Sequence, residues 1–175
     1  MRAKTTLIAV AAVGAALAAG TALGGNDHRN QRNHFRVLLD GYQEVPPVST
    51  PARGALVLQI ARDEQSIGYA LRYDGLQGAI TQAHIHFGRP AINGNIVLWL
   101  CGTASNPGPA GTPTCPGPSG GSVSGTLDAA DVQATTQGIA AMELSEVIDA
   151  LRSRSGYGNV HSSLFQGGEI RGNIR

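Results

Sequence analysis

The chain has 175 residues, a formal net charge of +1 and only 14% charged residues. That length holds one domain, and that charge balance gives no strong field toward nucleic acid or an anionic membrane. With 42% hydrophobic residues and 24 glycines, the composition excludes a disordered chain and suits short strands joined by tight turns.

The N-terminus reads as an export signal over residues 1–24. Arg2 and Lys4 form a basic start, and residues 7–19 are apolar and uncharged. Ala16-Leu17-Ala18 then gives an A-x-A cleavage pattern. The apolar run is shorter than the ~20 residues a membrane-spanning helix needs. No cysteine stands near the cleavage region, so a lipid anchor is not expected. The expected location is the periplasm, the cell envelope or the extracellular medium, with no transmembrane span after signal cleavage. Residues 25–33 are polar and read as a flexible lead-in, and residues 34–175 as the folded domain.

Strands are expected at 35–39, 55–60, 67–73, 79–87, 96–101 and 122–127. Val45-Pro46-Pro47-Val48 lacks two backbone donors and belongs to an edge or a crossover. Asp74-Gly75 and Gln77-Gly78 are turn signals, and Asn93-Gly94 signals a type I′ hairpin with positive φ at both residues. Leu144, Val147, Ile148 and Leu151 fall at i, i+3, i+4 and i+7, one face of a helix over 143–152, which Ser155-Gly156 would stop. Asp128 is placed to cap a further short turn. Runs 157–165 and 169–174 read as a closing hairpin. The fold class is all-β, a sandwich or barrel with one or two short helices inserted.

Cys101 and Cys115 are an even pair in a chain read as exported, so a bridge is expected. Three prolines and three glycines lie between them. Closing a loop of about 15 residues is worth ~3 kcal/mol.

Alternation along a strand puts His84 and His86 on one face. Two imidazoles so placed can form half of a copper or zinc site. His161, with Asn159, lies on the polar face of its own strand, and the three histidines converge if the closing hairpin neighbours the H-x-H strand. Glu169 and Arg171 share a polar face of the last strand, as an ion pair or a hairpin hydrogen-bond network. His28 and His34 lie in or beside the lead-in, and His34 is a distant fourth ligand candidate. No catalytic residue is assigned: G-x-S-x-G, a phosphate-cradling glycine loop and H-E-x-x-H are all absent. No cofactor is required by any motif, copper or zinc being the one candidate.

Four stretches taken together resemble the CHRD family. They are Leu39-Asp40-Gly41-Tyr42-Gln43-Glu44-Val45-Pro46-Pro47, Ala83-His84-Ile85-His86-Phe87-Gly88, Asn159-Val160-His161-Ser162 and Gly168-Glu169-Ile170-Arg171-Gly172. The resemblance covers residues 34–175, and paired cysteines flanking a Pro/Gly loop look like bacterial members. It implies an immunoglobulin-like β-sandwich with a likeness to Cu,Zn superoxide dismutases, carried by the H-x-H strand and the Phe-Gly after it. It implies no settled activity. The chain lacks the second histidine cluster of a bimetallic dismutase, which leaves a mononuclear copper site, with Arg171 in an anion-guiding part by analogy only. Two functions follow as expectations: a non-catalytic binding or surface/matrix module with an extracellular protein or matrix partner, or a copper- or zinc-binding protein using His84, His86 and His161.

Overall fold

A computed structural model describes residues 32–175. The expected signal, most of the lead-in and His28 lie outside the described residues. Among the described residues eight strands form, close to where alternation and turn signals place them: β1 (His34–Asp40), β2 (Arg53–Ile60), β3 (Ile67–Asp74), β4 (Ile80–Phe87), β5 (Asn95–Gly102), β6 (Gly121–Leu127), β7 (Gly156–Ser162) and β8 (Ile170–Ile174). One helix, α1 (Leu144–Arg152), separates β6 from β7, and single 3-10 turns occupy Gly41–Gln43 and Ala129–Asp131.

All eight strands belong to one antiparallel sheet, in the order β5-β4-β7-β8-β1-β2-β3-β6. The sheet curls until its two edge strands, β5 and β6, lie against each other, giving a nearly closed barrel. The Tyr69 hydroxyl of β3 donates to the Leu100 carbonyl of β5 at 2.7 Å across this seam. Near-closure leaves little free strand edge for another chain to pair with.

The barrel interior is filled by one face of each strand. Phe35, Val37 and Leu39 of β1, Leu56, Leu58 and Ile60 of β2, and Ala83 and Ile85 of β4 are all buried there. Helix α1 adds Leu144, Val147, Ile148 and Leu151 to the same core, the four positions its periodicity selects. Its Arg152 guanidinium pairs with Glu64 at 2.6 Å and bonds Asn33 at 2.8 Å, pinning the helix to the β2–β3 turn and the chain ahead of β1. The helix stops earlier than Ser155-Gly156 suggests. Arg154 takes the left-handed conformation (φ 61) and Gly156 already opens β7. Asp128 caps the Ala129–Asp131 turn through a reciprocal capping box.

The two halves of the sheet differ in burial. Strand β1 alternates buried and exposed residues, with Leu38 pointing out at 76% exposure. Strand β7 is buried at every position, so its outer, polar face is covered as well as its inner one. Connections do the covering. Residues 41–52 do not form a strand, as the prolines require, and bring Glu44 and Thr50 over β7 and β8. Residues 88–94 fold over Arg171. The β4–β5 connection is therefore a seven-residue loop rather than a two-residue I′ hairpin. Its positive φ falls on Ala91 (φ 62), not on Asn93 or Gly94. Gly94 has a different reason to be glycine: a Cβ there would collide with the Phe87 carbonyl.

Cys101 and Cys115 are joined by a disulfide with a Cα–Cα distance of 4.9 Å. No helix among the described residues is long and apolar enough to cross a membrane.

Candidate metal centre

The sheet order puts β7 directly beside β4. His84 faces Asn159, His86 faces Tyr157 and Gln82 faces His161. Residues paired across an antiparallel ladder share a face, so the three histidines gather on the outer face of the barrel wall. On its other side β4 meets β5 with register shifts between Ala83 and His84 and between Ile85 and His86. Such irregularities re-aim side chains, and here they flank both histidines and set His84 against Trp99.

The cluster is compact and buried. Ring centroids are 4.9 Å apart for His84–His161, 5.4 Å for His84–His86 and 6.2 Å for His86–His161. Exposure is 0% for His84, 8% for His86 and 6% for His161. One ring nitrogen from each lies within 4.8 Å of the others. Bonds of 2.0–2.1 Å to a common ion would draw each ring inward by at most roughly 0.7 Å.

Two backbone carbonyls orient the rings. His86 Nδ1 lies 2.9 Å from the Gly94 oxygen and His161 Nδ1 lies 2.8 Å from the Gln166 oxygen. A carbonyl only accepts, so each Nδ1 carries the proton and each Nε2 is left with its lone pair. Both Nε2 atoms, and both nitrogens of His84, are buried without a hydrogen-bond partner. Buried polar atoms are rarely left so. A carbonyl on the non-ligating nitrogen is the usual outer support of a metal-binding histidine.

The electrostatics agree. Burial, reinforced by the neighbouring imidazoles, pushes His84 well below the ordinary histidine range. Burial likewise lowers His86, to about 4, against the opposing pull of the Gly94 carbonyl. His161 is lowered by the same cause. All three are neutral donors at neutral pH.

A second buried polar group adjoins the first. Glu169 and Arg171 do not pair with each other. The Glu169 Oε1 atom accepts from the Thr50 hydroxyl at 2.7 Å and the Gln77 amide at 2.8 Å. Arg171 is 0% exposed and donates to Asn93 Oδ1 and to the carbonyls of Arg89 and Ile92. Sequence reasoning gave no role to Glu44, Tyr157 or Trp99. The Glu44 Oε1 atom accepts from Asn159 Nδ2 at 2.6 Å. Burial raises this carboxyl to about 7, although Asn159 and Arg171 pull it down. Gly168 (φ 129) lies so close that a Cβ would stand 2.6 Å from both Asn159 Nδ2 and Glu44 Oε1. The signal that could have marked Glu44 is an acid held beside two prolines within one of the family-like stretches. His34, by contrast, is exposed on β1 and outside the cluster.

A nearly closed eight-stranded barrel with a buried polar outer face, three histidines at its centre, defines the class of domain. Residues 35–174 match the CHRD domain, and the chain belongs to that family. No curated protein and no solved structure matches it. The likeness to Cu,Zn superoxide dismutases is not borne out: no solved structure matches this chain, whose strands form one curled sheet.

Proposed function

We propose that this protein is an exported, non-catalytic CHRD module that holds one copper or zinc ion through His84, His86 and His161. The observation that carries the reading is the convergence of three buried histidines, each with an unpartnered ring nitrogen, two of them with the Nδ1 proton already given to a carbonyl. Export is supported by the basic–apolar–small pattern of residues 1–24 and by the disulfide, which persists in oxidising compartments. A binding role suits the site, because the three donors are enclosed and no nucleophile–base pair stands among them. An extracellular protein or matrix partner would use the exposed surface rather than this enclosed group.

Elemental analysis of the full chain from the exported fraction tests the reading, before and after equilibration with Cu(II) and Zn(II). Near one equivalent of metal is expected, with loss in His84→Gln and His86→Gln. Wild-type protein left metal-free by both equilibrations and by copper(I) under anaerobic ascorbate would overturn it.

A further inference from the structure

The composition of the three-histidine pocket says which ion it suits. All three donors are neutral imidazoles. Among the described residues, the group of mutually close ligand atoms contains no carboxylate and no thiolate. The two cysteines are bound to each other. Glu44 and Glu169 lie outside the ligand group; their Oε1 atoms accept from Asn159 and from Thr50 and Gln77, while Glu169 Oε2 is buried without a partner. The formal charge that reaches the pocket through its aromatic wall is a cation. Arg171 lies 3.4 Å from the centroid of the Tyr157 ring, and that ring stacks on His86 at 4.6 Å.

Desolvating an ion costs free energy that grows with the square of its charge. A dication in this pocket would have no anionic ligand to offset that cost. It would also want more than three ligands, since zinc sites are closed by a fourth residue or by a water in an open position. A buried water needs two to four polar partners. The Nδ1 protons of His86 and His161 are already committed, which leaves one His84 N–H as the free ring donor, and the flanks are the Trp99 ring, edge-on to His84 at 4.3 Å, and the Tyr157 ring. A monovalent d10 ion pays roughly a quarter of a dication's desolvation cost and is content with three nitrogens. We infer that the site selects copper(I), held by the three imidazoles alone, over divalent copper and zinc. This rests on the metal-binding reading above and narrows it.

The test is a competition on the disulfide-intact full chain. Copper(I) is offered as its bicinchoninate complex under anaerobic ascorbate, and Cu(II) and Zn(II) are offered separately against matched chelators. One equivalent of copper(I) is expected to transfer, bound more tightly than either divalent ion by more than about tenfold. The X-ray absorption edge of the copper(I) complex is expected to show a three-coordinate ion. His86→Gln and His161→Gln should abolish transfer while near-ultraviolet dichroism stays unchanged. If either variant fails to fold, the wild-type competition and edge still decide. Zn(II) or Cu(II) bound as tightly as copper(I), or a four-coordinate copper(I) edge, would overturn the selectivity and leave the three-histidine site standing. Binding of none of the three ions would remove both.

Discussion

Arg171 lies flat on Tyr157, its guanidinium carbon 3.4 Å from the ring centroid, and so a fully buried cation of the outer face bears on the ring that stacks against His86. The same guanidinium donates to two carbonyls and one side chain of residues 88–94. That loop supplies the Gly94 oxygen that orients His86, and its Gly94 amide donates to the Tyr157 hydroxyl at 3.2 Å. Arginine, ring, loop and histidine thus form one closed set of contacts.

Replacing Arg171 with Lys should break that set. Lysine has no planar fork to stack and to reach three acceptors at once, and it leaves buried carbonyls short of donors. The expected cost is about 2–3 kcal/mol, read from urea denaturation of the two proteins. Hydrogen exchange should quicken in residues 88–94 more than in β1 and β2. Unchanged exchange in that loop would show that Arg171 does not hold it.

Metal-free protein should weaken as the solution is acidified. The folded pKa of His86 is about 4, and those of His84 and His161 are also lowered, against an ordinary 6.5. Below pH 6.5 the unfolded chain takes up protons that the folded one refuses, so stability falls with falling pH. The loss begins near pH 6.5 and continues down to about 4 for His86. Thermal denaturation with a chelator present, stepped from pH 7.5 to pH 4.5, checks this, and a flat profile would contradict the buried neutral imidazoles.

Glu44 works in the opposite direction. Its folded pKa is raised from 4.5 to about 7, so its stabilising share is complete below 4.5 and is lost as pH rises toward 7. Glu44→Gln keeps an acceptor for Asn159 and removes the titration. The variant should match wild type near pH 4.5 and exceed it at pH 8, by on the order of 2–3 kcal/mol. Its own decline on acidification should be steeper, because only the histidines remain to drive it. A gap between the two proteins that does not change with pH would mean that Glu44 is ionised in the fold.

Removing the bridge with Cys101→Ser and Cys115→Ser should cost ~3 kcal/mol, measured on the double variant to avoid a stray thiol. The sequence separation is 14 residues. The effect should concentrate where residues 103–114 return to β5, through the Gly102–Thr114 and Thr103–Asn106 bridges. Trp99 emission should shift with it, since the ring lines a cavity with Pro109, Gly111 and Thr112.

The strands were legible because their burial is one-sided where the chain is simplest. In β1, Phe35, Val37 and Leu39 alternate with exposed residues, and the period-2 pattern is the direct mark of that. The amphipathic face of α1 was legible for the same reason. The outer face of β7 and β8 was not, because alternation reports a polar face without saying whether loops will bury it. Asn93-Gly94 misled for a related reason. Its glycine is required by the nearness of Phe87 rather than by a turn's φ, and sequence does not separate those causes. His84 and His86 could be paired from spacing alone, whereas His161 needed the sheet order, which is a long-range fact. Glu44 needed a connection of the chain to fold back over strands more than a hundred residues away.

The sheet order has a consequence for assembly. The last two strands in the chain, β7 and β8, are inserted between β4 and β1 in the middle of the barrel wall. Until they arrive, β1–β2–β3–β6 and β4–β5 are separate fragments with no shared ladder. Joining them closes very long loops, which is slow and all-or-none. His161, Asn159 and Arg171 ride on these closing strands, so a chain cut short before β7 holds only two of the three imidazoles, on an unpaired edge. The pocket cannot be filled early and folded around its contents; it comes into being with the final stitch of the barrel.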